Sequence, residues 1–306
     1  MKLGLFENPH YRRPDPEPAS MAVGTLPRQR ALLDCGEVTY LRHGAGPTLL
    51  LVHGIPTSAR LWEPLLGDLG EHFDCIVPDL LGMGPSRPRS GADLSSPGQA
   101  AMLAQLLDSL GIQDTLATFH DQGGAHGMQF LAAHGDRVRA VALCDIVCYD
   151  NWLVPPVAAL DALCRVPAVL GAATRIGLTD AAFLRLWPFP QTTVRGPLPT
   201  AMTDDWFAAM RGGGEGLRIF CDYVRSQSPR YTQDAVPTLR AWTKPALVVW
   251  AGHDRFLAPS WGARLCADIP GAPEQPVILP FAGHFFHADV PRTAARVLTE
   301  FFSNNG

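Results

Sequence analysis

The stretch Leu116-Ala117-Thr118-Phe119-His120-Asp121-Gln122-Gly123-Gly124 passes from an apolar run, through one acidic residue, into paired glycines. A helical pattern with Met128, Phe130 and Leu131 follows. An apolar run that feeds a turn and then a helix reads as a strand buried on both faces of a parallel sheet. Small residues after a central polar one allow the sharp strand-to-helix turn that lifts a single side chain above the strand end. That side chain is Asp121, and the backbone N–H of Gln122 is then placed to face charge developing beside it.

Working outward, further apolar runs repeat the strand signal: Leu49-Leu50-Leu51-Val52, Cys75-Ile76-Val77, Val141-Ala142-Leu143, Ala246 to Trp250, and Val277-Ile278-Leu279. Helical stripes lie between them. Ser96-Pro97 supplies a helix start, Leu103, Leu106, Leu107 and Leu110 mark one face, and Gly111 can close it. Ala294, Val297, Leu298 and Phe301 form a similar stripe near the end. Alternating strands and helices imply an α/β fold with a mainly parallel, doubly wound sheet. From about Tyr149 to Arg240 the alternation fails, and helical patches such as Pro156 to Leu163 and Asp204 to Tyr223 replace it. Strands resume afterwards, so residues 149–240 are expected to be a helical cap inserted into a core of residues 28–148 and 241–306. Residues 1–27 read as an extended arm or a poorly ordered tail, with Met21 a possible start.

Composition narrows the function classes. Hydrophobic residues make up 47% and charged residues 18% of 306, as a soluble enzyme with a sizeable core requires. A net charge of −4 gives no footprint for nucleic acid or an anionic membrane surface. The N-terminus lacks the apolar stretch of a signal or membrane span. Seven scattered cysteines suggest neither a disulfide framework nor a zinc site, so a reducing cytoplasm is expected. Neither a cofactor nor a metal is called for, and the expected partner is a small molecule, apolar or aromatic.

His-Asp-x-Gly-Gly at residues 120–124 resembles the elbow of epoxide hydrolases and haloalkane or haloacid dehalogenases, within the α/β-hydrolase fold. His53-Gly54-Ile55-Pro56 resembles the HGxP turn of that group, and Asp79 to Ser86 resembles its D-x-x-G-x-G-x-S loop. The resemblance implies Asp121 as nucleophile, with the N–H groups of Ile55 and Gln122 as oxyanion hole. It implies His284, in Phe281-Ala282-Gly283-His284-Phe285, as general base; His287, three residues on and expected near the lip of the site, is the local competitor. Asp254 is the favoured orienting acid; Asp145, whose segment resembles fluoroacetate dehalogenases, is the alternative. One departure stands out: Phe119 replaces the usual first glycine of the elbow, so packing beneath the turn must differ.

An aspartate nucleophile implies attack on saturated carbon and an alkyl-enzyme ester. Haloalkane dehalogenases carry asparagine and tryptophan as halide donors where this chain has Ile55 and Gln122. Fluoroacetate dehalogenases carry arginines where it has Gln122 and Ala125. Epoxide opening needs only a tyrosine donor, for which Tyr223 is the candidate, with Tyr149 or Tyr231 as a weaker partner. The expected activity is therefore epoxide hydrolysis to a diol. Haloalkane or haloacid dehalogenation is the first alternative, and a non-hydrolytic ligand-binding, lyase or oxygenase role the second. His53, Trp152, Trp187, Phe189, Trp206 and Phe256 are expected around the substrate, although buried tryptophans more often form core.

Overall fold

The computed structural model describes residues 15–152, 154–177, 191–211 and 213–305. Its strands are β1 Gln29–Leu33, β2 Gly36–His43, β3 Thr48–Val52, β4 Asp74–Pro78, β5 Arg87–Pro88, β6 Thr115–Asp121, β7 Val138–Ile146, β8 Ala246–Ala251 and β9 Val277–Leu279. They form one sheet in the order β1-β2-β4-β3-β6-β7-β8-β9, with β5 paired to β2. Pairing is parallel from β4 through β3, β6, β7 and β8 to β9, and antiparallel around β1 and β2.

Helices cover both faces: α1 Glu63–Leu69, α2 Ser96–Ser109, α3 Gln122–His134, α4 Pro155–Cys164, α5 Pro167–Arg175, α6 Thr200–Ala208, α7 Glu215–Ser226, α8 Pro229–Asp234, α9 Val236–Arg240, α10 Ser260–Asp268, α11 Phe286–Asp289 and α12 Pro291–Asn305. Side chains alternate across a strand, which splits the apolar residues into two cores. Leu50, Val52, Phe119 and Leu143 pack on one face with Leu103 and Met128, while Leu49, Leu51, Leu116 and Cys144 pack on the other with Leu65, Leu298 and Phe302.

Helices α4 to α9 lie between β7 and β8, and no described residue there is in a strand. The helical patch expected over Asp204 to Tyr223 is instead two helices. The first ends at Ala208, and Gly213 and Gly214, whose φ values of 77° and 84° suit glycine, lead into the second, with Gly214 as its N-cap. All seven cysteines are free thiols. No helix among the described residues is long and apolar enough to cross a membrane.

At the N-terminus, residues 15–27 are held against the core rather than loose. The Glu17 carboxylate accepts from Thr293 N–H at 2.9 Å and Thr293 Oγ1 at 2.7 Å. Buried Glu63 accepts from the N–H groups of Gly24 and Leu26 at 2.7 and 2.8 Å, with Arg60 as its counter-charge. Arg28 then bridges Asp79 of the loop after β4 and Asp205 of α6. These anchors are polar and distant in sequence, so no periodicity announces them.

The Phe119 departure has a local answer. A Cβ added at Gly127 of α3 would overlap the Phe119 ring. The helix thus supplies beneath β6 the space that a glycine at position 119 would have left. In Gly127→Ala the overlap should outweigh the ~1 kcal/mol of helix propensity that alanine brings, with a net loss of about 1–3 kcal/mol in urea unfolding. In a Phe119→Ala background the same change should become neutral or stabilising; equal losses in both backgrounds would refute this packing account.

Candidate active site

The C-terminal ends of neighbouring strands converge on one place, where an open α/β sheet presents its ligands. Asp121 closes β6, Ile55 follows β3, Asp145 lies near the end of β7, Asp254 follows β8 and His284 follows β9. Asp121 sits at φ 51°, ψ −127°, a region L-residues rarely occupy. The turn closes because its neighbours are small. A Cβ at Gly54 would overlap the Asp121 carboxylate, and one at Gly123 would overlap the His53 carbonyl oxygen. That close approach lets Ile55 N–H donate to Asp121 Oδ2 at 2.8 Å, and the Gln122 N–H donates to the same carboxylate.

His284 Nδ1 donates to Asp254 Oδ2 at 2.7 Å, and its Nε2 lies 3.6 Å from Asp121 Oδ1. The second distance is an ion-pair approach longer than a hydrogen bond. Asp254 Oδ1 accepts from the N–H groups of Phe256 and Leu257 at 2.7 and 3.0 Å, which fixes the carboxylate behind the ring. Burial opposes charge on His284, but Asp254 and Asp121 outweigh it and hold the imidazole pKa well above its ordinary value. Burial likewise opposes charge on Asp121, yet His284 and the Gln122 N–H leave its pKa lowered.

Asp145, the alternative acid, is fully buried and accepts from Ala251 N–H at 2.8 Å. Burial, then the neighbouring Asp254 charge, push its carboxyl pKa well up. The ring nitrogen of His284 faces Asp254, and Asp145 stands behind as a neutral acid. His120 donates from Nε2 to the His284 carbonyl oxygen at 3.0 Å, and burial brings its pKa down to about 3. It braces the His284 turn, a role hidden inside the elbow stretch because the eye goes to Asp121.

Several expectations need correction. His53 does not present its ring to substrate. It is fully buried, its Nε2 accepts Leu80 N–H at 3.1 Å, and Nδ1 donates to the Gly54 carbonyl at 2.9 Å. It ties the β3 turn to the loop after β4. His287 lies at no lip: it is buried against Trp62, His120 and Phe286, with ring centroids 4.4, 4.7 and 3.9 Å away. Tyr149 stacks on Trp261 with the Arg264 guanidinium 3.8 Å from its ring centroid, and Tyr231 lies under Arg230; among the described residues neither makes a ring contact or hydrogen bond with Tyr223.

Tyr223 itself is fully buried on α7, close enough to Asp121 for that charge, after burial, to raise its pKa. Its hydroxyl is 2.8 Å from His126 Nε2. The Phe256 ring stands edge-on to His284 at 5.6 Å, and Trp206 packs on Phe285 at 5.2 Å. Trp152 is buried within the core cluster that the cap helices share. Trp187 and Phe189 lie outside the described residues. Sequence reasoning passed over His126 and Gln227 and read Ser96 only as a helix start; the three form a hydrogen-bonded chain with Tyr223. Among the described residues no group of three or more His, Cys, Asp or Glu side chains is arranged to hold a metal.

A family model described as alpha/beta hydrolase fold matches residues 47–291. Haloalkane dehalogenase 2 of Mycobacterium tuberculosis is 31% identical over 278 residues, covering 87% of this chain and 92% of that one. A fluoroacetate dehalogenase from Burkholderia sp is 32% identical, covering 90% and 94%. Among solved structures, an alpha/beta hydrolase fold protein from Burkholderia ambifaria superposes with a TM-score of 0.77 at 22% identity, over 93% of this chain and all of that one. The fold, the strand-end site and these likenesses together place the chain in the α/β-hydrolase-fold family, in its dehalogenase-like branch, as a hydrolase.

Proposed function

We propose that this hydrolase is a dehalogenase that replaces a carbon–halogen bond by a hydroxyl through an ester on Asp121, with α4 to α9 as its cap. The observation that carries the reading is the division of labour between the two Asp121 oxygens. Oδ2 accepts the Ile55 N–H at 2.8 Å, and Oδ1 lies 3.6 Å from His284 Nε2.

In the first half, Oδ1 attacks the halogen-bearing carbon, the C–O bond forms, and halide leaves with the bonding pair. Gln122 keeps a second amide N–H, beyond the one given to Gln227, as a donor one residue from the nucleophile. Esterification removes the Asp121 charge that had helped to hold a proton on His284. The ring therefore releases that proton more readily and becomes a base for the second half. It takes a proton from water, hydroxide adds to the Asp121 carboxyl carbon, and the oxyanion forms on Oδ2 under the Ile55 and Gln122 N–H groups. Collapse breaks the bond between the carboxyl carbon and Oδ1, the proton of the added hydroxyl passes to the departing alkoxide, and the carboxylate and an alcohol result, with His284 again protonated.

This order of preference reverses the expectation from sequence, and the reversal has a physical reason. The Tyr223 hydroxyl is held by His126 at 2.8 Å, and among the described residues neither Tyr149 nor Tyr231 is paired with it, so the second tyrosine expected for an epoxide oxygen is not found beside the first. The relatives described as dehalogenases point the same way. Epoxide hydrolysis stands as the second reading because Tyr223 remains buried within electrostatic reach of Asp121.

His284→Gln should retain an alkyl group on Asp121 after incubation with 1-bromobutane, seen by intact mass and peptide mapping, whereas Asp121→Asn should retain none. No adduct with any bromide, but one with styrene oxide, would transfer the assignment to the second reading. A stability measurement tests the charge balance. The His284 pKa is raised on folding, so its contribution is complete below about pH 6.5 and fades as pH rises toward the folded value. The stability of wild type relative to His284→Gln, from urea unfolding, should therefore fall above about pH 6.5; a difference that grows with pH would contradict the ion-pair account.

A further inference from the structure

Gln227, the residue after α7, makes and breaks no bond in the steps above, yet it sets the direction of a hydrogen-bonded chain that runs through Ser96 and His126 to Tyr223, a buried hydroxyl within electrostatic reach of Asp121. Its Nε2 is 2.8 Å from the Leu94 carbonyl oxygen and 3.1 Å from that of Tyr223. Carbonyl oxygens only accept, so the amide nitrogen must face them and the amide cannot be turned over. Its Oε1 is then an acceptor, 3.1 Å from Ser96 Oγ and 3.2 Å from Gln122 Nε2.

Counting protons settles the rest. Ser96 has one hydroxyl proton; once it goes to Gln227, the Ser96 oxygen accepts from His126 Nδ1 at 3.0 Å. His126 is fully buried, and burial brings its pKa down to about 3, so the ring is neutral with a single N–H. With that N–H at Nδ1, Nε2 accepts the Tyr223 proton across 2.8 Å. Tyr223 Oη is left with a lone pair to offer. Were Ser96 to turn the other way, two oxygen lone pairs would face each other across 3.1 Å. Gln122 also turns its NH2 toward Gln227, and its buried Oε1 has no hydrogen-bond partner among the described residues.

We propose that Gln227 is a positioning residue that makes Tyr223 Oη and Gln122 Oε1 acceptors, so that the site favours organohalides carrying a hydrogen-bond donor, a hydroxyl or N–H, close to the halogen-bearing carbon. The substrate half of this proposal rests on the dehalogenase reading; the polarity of the chain does not.

Both halves can be measured. Nitrogen-15 spectra, with His126→Gln for assignment, should show His126 protonated at Nδ1 in the wild type. Ser96→Ala and, separately, Gln227→Leu should move the proton toward Nε2. In turnover, kcat/KM for 2-bromoethanol should exceed that for the isosteric 1-bromopropane by at least about fivefold, the cost of leaving buried acceptors unpaired. That ratio should fall to near unity in Gln227→Leu. An Nε2-protonated His126 in the wild type overturns the polarity, whether or not bromides react. Protonation at Nδ1 with equal use of the two bromides overturns the donor preference and leaves the covalent mechanism standing. Protonation at Nδ1 with no reaction or adduct from either bromide overturns the dehalogenase reading beneath it.

Discussion

A carboxylate removed from water keeps its charge only where donors and cations replace the water. Asp121 is buried at the end of a central strand, and most of the local architecture serves that requirement. The N–H groups of Ile55 and Gln122 donate to the carboxylate, Ile55 to Oδ2, and the imidazolium of His284 faces Oδ1. For these donors to arrive, the turn must be tight enough to hold Asp121 at positive φ, and β3 must pass close enough that only glycine fits at position 54. Five strand ends and the loops after them thus answer to one charge.

Behind that charge stand two acids with different fates. Asp254 accepts three hydrogen bonds, from His284 and from the N–H groups of Phe256 and Leu257. Asp145 accepts one, from Ala251, and burial beside Asp254 pushes it toward the neutral form. Two like charges so near each other in the interior would repel, which adds to the burial that opposes charge on Asp145. His284 aligns with Asp254, and Asp254 and Asp121 together hold the proton on its ring.

How much of this was legible in the sequence depends on whether the signal was local. The parallel sheet was, because strands buried on both faces read as unbroken apolar runs such as Leu49 to Val52. Asp121 and His284 were, because a sharp turn demands small neighbours in fixed order. The β1–β2 hairpin was missed because β1, Gln29–Leu33, is largely exposed and carries no such run. His53 was misread because its sequence places it at the site while its ring nitrogens are taken by backbone groups behind it. Asp254 was favoured from its place after the penultimate strand, but spacing left Asp145 open, since both lie near strand ends and only packing decides which reaches His284. The Gln227 chain was invisible for the same reason: its partners at positions 94, 96, 122, 126 and 223 meet only after folding.

The central claim is that water attacks the enzyme's own carboxyl carbon rather than the substrate. A single turnover of excess wild-type protein with 1-bromobutane in oxygen-18 water reads this directly. The account predicts that the label enters the carboxyl group of Asp121 and that the released butanol carries ordinary oxygen. Labelled butanol with an unlabelled Asp121 would contradict it.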